Sequence, residues 1–496
     1  MSQVSETPAN QPQIPTNGKD IKGIGDRIIP HSSVLPVVAD VDGDAKAATQ
    51  LQVKRISPSY YTKFLSDAAK ERKPSPIRGL FPLEKTPGLI SLLAGKPNPA
   101  TFPFTSLTFG ARSPTDPNKE LSLSLDEADL QQGLQYGDTA GLKKLCDWFA
   151  GLQTLNHGRK KNEGWRISVG SGSQDLLYKA VTAMVNRGDS VLVESPVYAG
   201  VIPLFQNLHC DLIEVETDGE GISSDSLRFI LENWPVGKAK PKVLYTVPYG
   251  CNPTGMTATL KRRKEVLRLA QEHDFIILED DPYFYLYYGD TPRYPSYFSL
   301  ERQELEVGRV LRFDSLSKIL SAGIRIGFAS GPEALLAAMD SHTATANLQV
   351  SSLTQAITFT LLDSWGYDGF MKHTETVANF YRKKRDVFES AMKKHLSGLA
   401  EWNTPEAGMF FWFKLLLNDK PDRDETGDSE AAIKTRAFER GVLALPGAVF
   451  LPNSRKTAYV RASFSLTGEE DVNEAVQRLR LAILDSRAAA ALSVSS

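Results

Sequence analysis

From about residue 130 onward, short apolar runs alternate with stretches that carry one charged and one apolar face. "WRISVGSGSQDLLYKAVTAMVNRGDSVLVESPVY" (165–198) reads as strand, Gly/Ser turn, helix and strand. "PKVLYTVPYGCNPTG" (241–255) is a further apolar strand that ends in a turn. "TLKRRKEVLRLAQEHDFIILEDDPY" (259–283) gives a helix with a charged face and then a buried strand, and "GRVLRFDSLSK" (308–318) is another strand. Short apolar strands separated by helices predict the α/β class, with a mostly parallel sheet covered by helices on both faces. After about residue 350 the pattern changes. A helical region, "ETVANFYRKKRDVFESAMKKHLSG" (375–398), precedes strand candidates "GMFFWFKL" (408–415) and "YVRASFSL" (459–466). The helix "EEDVNEAVQRLRLAILDSR" (469–487) closes what reads as a second, smaller α+β domain. The resulting division is 1–50, 51–125, 126–350 and 351–490. The first segment is polar, Pro-rich and expected to be disordered, and the second is rich in loops. The end, "AAAALSVSS", is expected to fray.

Composition narrows the function classes. The chain has 496 residues, 41% hydrophobic and 23% charged, with a net charge of -2. That balance suits a large globular enzyme body and argues against an electrostatic binder of nucleic acid or membranes. No apolar run is long enough to span a bilayer. The start has neither an apolar signal core nor an Arg-rich presequence character. The three cysteines, Cys146, Cys210 and Cys251, are too scattered for a disulfide framework or a zinc site, so a reducing, cytoplasmic setting is expected.

Polar residues gather where the strands end, which is the edge at which open α/β sheets bind ligands. In "SVGSGSQD" (168–175), Gly170 and Gly172 permit a tight turn, and Ser171 and Ser173 stand at a helix start that favours an anion. Plain helix capping explains those serines equally well. "YGCNPTG" (249–255), with Asn252, Pro253 and Gly255, reads by default as an ordinary turn. "ILEDDPYFY" (277–285) puts three acids at a strand end, open to a metal, a cationic ligand or water, with Tyr283 three residues after Asp280.

The densest chemistry lies in "RFDSLSKILSAGIRIGF" (312–328). Lys318 follows two hydroxyls, Ser315 and Ser317, and stands seven positions before Arg325. A lysine near another cation, or desolvated, keeps a free amine that attacks carbonyls. Arg325 with two serines makes a phosphate cradle. A carbonyl compound that carries a phosphate fits the set, and pyridoxal 5'-phosphate is one, bound as a lysine Schiff base with an Asp at its ring nitrogen. A basic surface helix leaves Ile319, Leu320, Ile324 and Ile326 unexplained.

The ordered motifs "SLSKILSAGIRIGF", "NPTG" and D-x-x-Y resemble those of fold-type I pyridoxal-phosphate aminotransferases, over roughly residues 55 to 485. "YYTKFLSDAAKERKPSPIR" (60–78) and "SLLAGKPNPATFPF" (91–104) are similar to the front of the aromatic, 2-aminoadipate and kynurenine aminotransferase group. Ala322 departs from the proline many relatives have there. The resemblance implies an aspartate-aminotransferase-like fold. A seven-stranded-type, mostly parallel sheet would stand beside a smaller α+β domain, in a homodimer with sites at the subunit interface. It implies Lys318 as the Schiff-base lysine and proton carrier, and Asp280 as partner of the pyridine nitrogen. Tyr283 and Asn252 would meet the ring O3', and Tyr198, in "ESPVYAG", would stack on the ring. Ser173, Gln174, Ser315, Ser317 and Arg325 would hold the phosphate, joined by Tyr136 of the neighbouring subunit. Arg461, in "VRASF", is the implied partner of the substrate α-carboxylate, although an arginine within an apolar strand could equally serve a structural ion pair. Gly95 would admit the substrate close to the backbone, and Arg78 would meet its side chain. Tyr60, Tyr61, Phe102 and Phe104 fit a side-chain pocket and core packing equally well. The implied reaction is transamination between aromatic amino acids, 2-aminoadipate or kynurenine and 2-oxo acids such as 2-oxoglutarate. The alternatives are a lyase or decarboxylase on the same cofactor, or an aminotransferase-like transcription regulator. The last would need a DNA-binding unit that residues 1–55 are too polar and Pro-rich to supply.

Overall fold

The computed structural model describes residues 54–73, 76–93, 95–418 and 427–494. The proposed disordered extension, 1–50, lies outside the described residues. The strand-like runs form one eight-stranded sheet. In chain order its strands are β1 (Trp165–Gly170), β2 (Ser190–Ser195), β3 (Asp211–Asp218), β4 (Gly221–Ile222), β5 (Val243–Thr246), β6 (Ile276–Asp280), β7 (Val310–Ser315) and β8 (Gly327–Pro332). Their spatial order is β1-β8-β7-β6-β5-β2-β3-β4. The run from β7 through β6, β5 and β2 to β3 is parallel. β8 is antiparallel to both of its neighbours, and the two-residue β4 is an antiparallel edge. Every residue of β5, β6 and β7 is buried, which is why they lack the apolar-in, polar-out alternation of a half-exposed strand; the charges of β7, Arg312 and Asp314, are paired with each other.

Helices α1 (Lys143–His157), α2 (Ser173–Met184) and α3 (Leu260–Glu272) connect or flank these strands. Each buries one apolar stripe, as in α3, where Val266, Leu267, Leu269 and Ala270 face inward beneath its lysines and arginines. The stack of Phe149 on Phe328, with centroids 4.0 Å apart, joins α1 to the sheet.

A second, antiparallel sheet contains β9 (Ala400–Trp402), β10 (Phe410–Leu415), β11 (Leu445–Pro446) and β12 (Tyr459–Ser463), in the order β9-β10-β12-β11. It is flanked by α4 (Ser352–Leu396) and α5 (Glu469–Val494). Two expectations change here. The helix expected from residue 375 begins at Ser352, where Ser351 accepts from the Thr354 N–H, and it is interrupted at Gly366 (φ 62°, ψ -177°). The β-branched and aromatic residues of 352–374 mask its helical pattern. The stretch expected to fray continues as helix to Val494, since its alanines are the strongest helix formers.

Candidate active site

Strand β7 ends at Ser315, whose Oγ accepts from the Ser317 N–H at 3.3 Å, and a single turn then presents Lys318. Burial lowers the Lys318 pKa and Arg325 lowers it further, while Asp280 opposes both. Arg325 takes a left-handed backbone (φ 52°) that turns its guanidinium back over the loop. It donates to Ser317 Oγ (3.1 Å), to the Ala322 carbonyl (3.2 Å) and to the Ser171 carbonyl (3.0 Å). The arginine thus ties the lysine turn to the Gly/Ser turn that opens α2. Gly172 is favoured there by its positive φ of 85°, and a Cβ would also lie 2.4 Å from the Arg325 guanidinium. A Cβ on Gly327 would sit 2.8 Å from the Ser173 nitrogen. Both glycines let the Arg325 guanidinium and β8 approach the start of α2 closely, which sets a guanidinium beside a helix N-terminus, a setting that suits a phosphate. Ser173 stands at the first position of α2. The Gln174 side chain is engaged elsewhere, donating to the Gly200 carbonyl at 2.8 Å, so what it can offer an anion is its backbone N–H in the first helical turn.

Asp280 ends β6 beside β7, paired in register with Phe313. It is buried, and Tyr245 Oη donates to its Oδ2 at 2.8 Å, while its Oδ1 has no partner. Burial pushes its carboxyl up to about 7; the Tyr245 hydrogen bond opposes this, and the charges of Asp281 and Asp314 reinforce it. The two acids on either side are already engaged. Glu279 accepts from the Tyr297 and Phe298 N–H groups (2.8 and 3.1 Å). Asp281 pairs with the fully buried Arg312 at 2.8 Å. Asp281 also keeps an unpartnered Oδ1, but of the three consecutive acids only Asp280 combines an unpartnered oxygen with the lack of an ion pair among the described residues. Tyr245 was not singled out from the sequence. It pairs with Leu278, two residues before Asp280 on the adjacent strand, so the two side chains share a face. That signal exists only once the strand pairing is known.

Tyr283 is buried edge-on to Phe410, and burial followed by the Asp280 charge pushes its phenol pKa up. Tyr198 is half-buried; burial and Asp280 raise its phenol, and Arg461 acts in the opposite direction. Arg461 comes from the second sheet, in β12, paired with Trp412 of β10 and Leu445 of β11. Its guanidinium lies 4.3 Å from the Phe410 ring centroid and donates to Asn252 Oδ1 at 2.9 Å. Its Nε is buried without a partner, and burial lowers its pKa. Among the described residues it forms no ion pair, so a structural salt bridge does not account for it.

The structure therefore brings together Lys318, Asp280, Tyr283, Tyr198, Asn252, Arg461, Arg325, Ser315, Ser317 and Ser173. Three further residues were named from the sequence. Tyr136 is exposed. Gly95 is exposed and a Cβ on it would meet nothing within 4 Å, so the packing of this chain does not demand a glycine. Arg78 opens a short turn (Arg78–Lys85), and its side chain lies outside the described residues. Of the aromatics, Tyr61 belongs to the core, where its hydroxyl donates to the Gly308 carbonyl.

Comparison with known proteins points the same way. The family model described as Aminotransferase class I and II matches residues 110–479. The aminotransferase tdiD of Emericella nidulans is 43% identical over 420 residues, covering 84% of this chain and 94% of its own. The mitochondrial kynurenine/alpha-aminoadipate aminotransferase of Bos taurus is 38% identical, covering 86% of this chain and 99% of its own. The crystal structure of aminotransferase Aro8 from Candida albicans matches with a TM-score of 0.78 at 25% identity, over 88% of this chain and 99% of that one.

Proposed function

Because this chain belongs to the class I and II aminotransferase family, we propose that it moves the amino group of aromatic amino acids, kynurenine or 2-aminoadipate to 2-oxo acids such as 2-oxoglutarate, with pyridoxal 5'-phosphate as its cofactor. The observation that carries this reading is a buried carboxylate, Asp280, and a half-buried guanidinium with a fully buried Nε, Arg461, that share one site without pairing. Burying either charge uncompensated is costly. A cationic ring nitrogen at Asp280 Oδ1 and an anionic substrate carboxylate at Arg461 relieve both costs at once.

The residues fit the cofactor part by part. The Arg325 guanidinium, set beside the helix start at Gly172 and Ser173, suits its phosphate, with Ser173, Ser315, Ser317 and the Gln174 backbone N–H as further donors. When bound, pyridoxal phosphate supplies an aldehyde that condenses with amines and a protonated ring that withdraws electrons from the substrate Cα. Asp280 keeps that ring nitrogen protonated through its unpartnered oxygen. Tyr283 and Asn252 would donate to the ring hydroxyl oxygen, and Tyr198 would lie against the ring face. Lys318, with its pKa lowered by burial and Arg325, holds a free amine that takes the proton from the substrate Cα and can return it. Arg461 grips the α-carboxylate with two parallel N–H donors, which orients the Cα–H bond for cleavage.

In this reading the protein is a homodimer, Tyr136 reaches the partner subunit's phosphate site, and Gly95 and Arg78 face the substrate. No helix of the described residues is long and apolar enough to cross a membrane, and the reading places the enzyme in the cytoplasm. The test is a half-reaction with phenylalanine, kynurenine and 2-aminoadipate, followed by the absorbance change of the bound cofactor to its amine form. The absence of that change with all three donors refutes the assignment.

A further inference from the structure

Among the buried acids that the proposed mechanism does not use, one has no cation paired with it in the described residues. Glu194, in β2, is 3% exposed and, among the described residues, forms no ion pair. Burial pushes its carboxyl up to about 7. An apolar side chain would be cheaper at such a position, so the acid needs a reason.

All its donors come from one segment. Thr246 Oγ1 donates to Glu194 Oε1 at 2.5 Å, the Val247 N–H to Oε2 at 3.0 Å, and the Cys251 thiol to Oε2 at 3.5 Å. The ladder between β2 and β5 ends at Val193 and Tyr245, so the Val247 N–H lies beyond the last paired residues. Glu194 supplies the acceptor that the sheet no longer provides. The same segment leads directly into Asn252, whose Oδ1 receives the Arg461 guanidinium. From the other side, Arg263 clips both ends of the loop, donating to the carbonyls of Ala258 (2.8 Å) and Pro248 (2.9 Å). The loop is also pressed against the smaller domain. A Cβ on Gly250 (φ 49°) would lie 2.6 Å from the Ala407 carbonyl carbon. A shift at Thr246–Cys251 is therefore passed to Asn252, the hydrogen-bond acceptor of Arg461 among the described residues.

We propose that Glu194 is a positioning residue for substrate recognition: by holding Thr246, Val247 and Cys251 it sets Asn252, and Asn252 sets the guanidinium that receives the substrate carboxylate. This rests on the reading of Arg461 as the carboxylate site. Glu194 touches neither reactant, so its effect falls on substrate binding and not on the proton transfers of Lys318.

The test compares Glu194→Met with Glu194→Gln in the holoenzyme, with Arg461→Lys measured in parallel. The readouts are KM for phenylalanine, KM for 2-oxoglutarate, kcat and the melting temperature. Glu194→Gln keeps a carbonyl for the Val247 N–H and should hold both KM values within about twofold of wild type. Glu194→Met removes every acceptor and should raise both KM values about tenfold, with kcat within about threefold. Should Glu194→Met not fold, Glu194→Asp, which withdraws the acceptor by one methylene, is expected to show the same KM pattern. A fall in melting temperature with both KM values unchanged, or a loss confined to kcat, overturns the proposal. If Arg461→Lys also leaves KM unchanged, the carboxylate assignment fails with it. If Arg461→Lys raises KM and the Glu194 variants do not, only the positioning role fails.

Discussion

Replacing Asp280 with asparagine should make the cofactor-free protein less sensitive to alkaline pH while it cripples turnover. Burial without a cation raises this carboxyl from 3.8 to about 7. In the unfolded chain it ionises near its ordinary value of about 4. Between those values the folded state holds a proton that the unfolded state has lost, so stability falls as pH rises through the window and is lowest above about 7. At pH 8 both states are ionised, and the span of about three pH units corresponds to about 4 kcal/mol of destabilisation. At pH 5 only about one unit of that span has been crossed, about 1.5 kcal/mol. Asp280→Asn removes the titration, so its stability should drop about 2–3 kcal/mol less than wild type between pH 5 and pH 8. Glu194 and Glu279, also raised to about 7 by burial, contribute a fall in the same direction to both proteins, which the comparison cancels. The assay is urea unfolding of the cofactor-free proteins at pH 5, 6.5 and 8. Added pyridoxal phosphate should close the gap at pH 8, because its ring nitrogen supplies the missing cation to wild type alone. Parallel pH dependences for the two proteins would refute the argument that Asp280 is buried unpaired and waiting for a positive partner.

Three further outcomes test neighbouring parts of the site. Lys318→Ala should lose at least about a thousandfold in half-reaction rate, since no other amine is placed to move the Cα proton, yet should still bind pyridoxal phosphate through the Arg325 cradle. Retention of a near-normal rate would remove its catalytic role. Arg461→Lys should raise KM for both the amino and the oxo acid about tenfold or more, because a point charge cannot reproduce the two-pronged grip. Equal KM values in the two enzymes would move the carboxylate site elsewhere. Tyr245→Phe deletes the one hydrogen bond Asp280 receives, a charged-group bond of about 1.5–3 kcal/mol, and should weaken cofactor binding about tenfold in a fluorescence titration of the cofactor-free protein. Unchanged affinity would reduce Tyr245 to packing.

Which features could be read along the chain follows from how local each one is. Strands β5, β6 and β7 and helix α3 declare themselves through apolar runs and a 3.6-residue stripe, both set within a dozen neighbouring positions. Lys318, Ser317 and Arg325 stand within eight positions, so the lysine turn and its guanidinium were legible before any fold was known. The other half of the site was not. Arg461 and Asn252 are 209 positions apart and meet only because the second sheet stands against the first. "LEDD" states that three acids are adjacent but not that Glu279 is taken by backbone amides and Asp281 by Arg312, which leaves Asp280 as the one without a paired cation among the described residues. Tyr245 and Glu194 lie in strands that look like ordinary core, and their partners depend on which strand lies beside them. Chain order carries propensity and periodicity, which are short-range. Burial, desolvation and hydrogen-bond pairing are properties of neighbours in space, and those come into being only when the sheets close on each other.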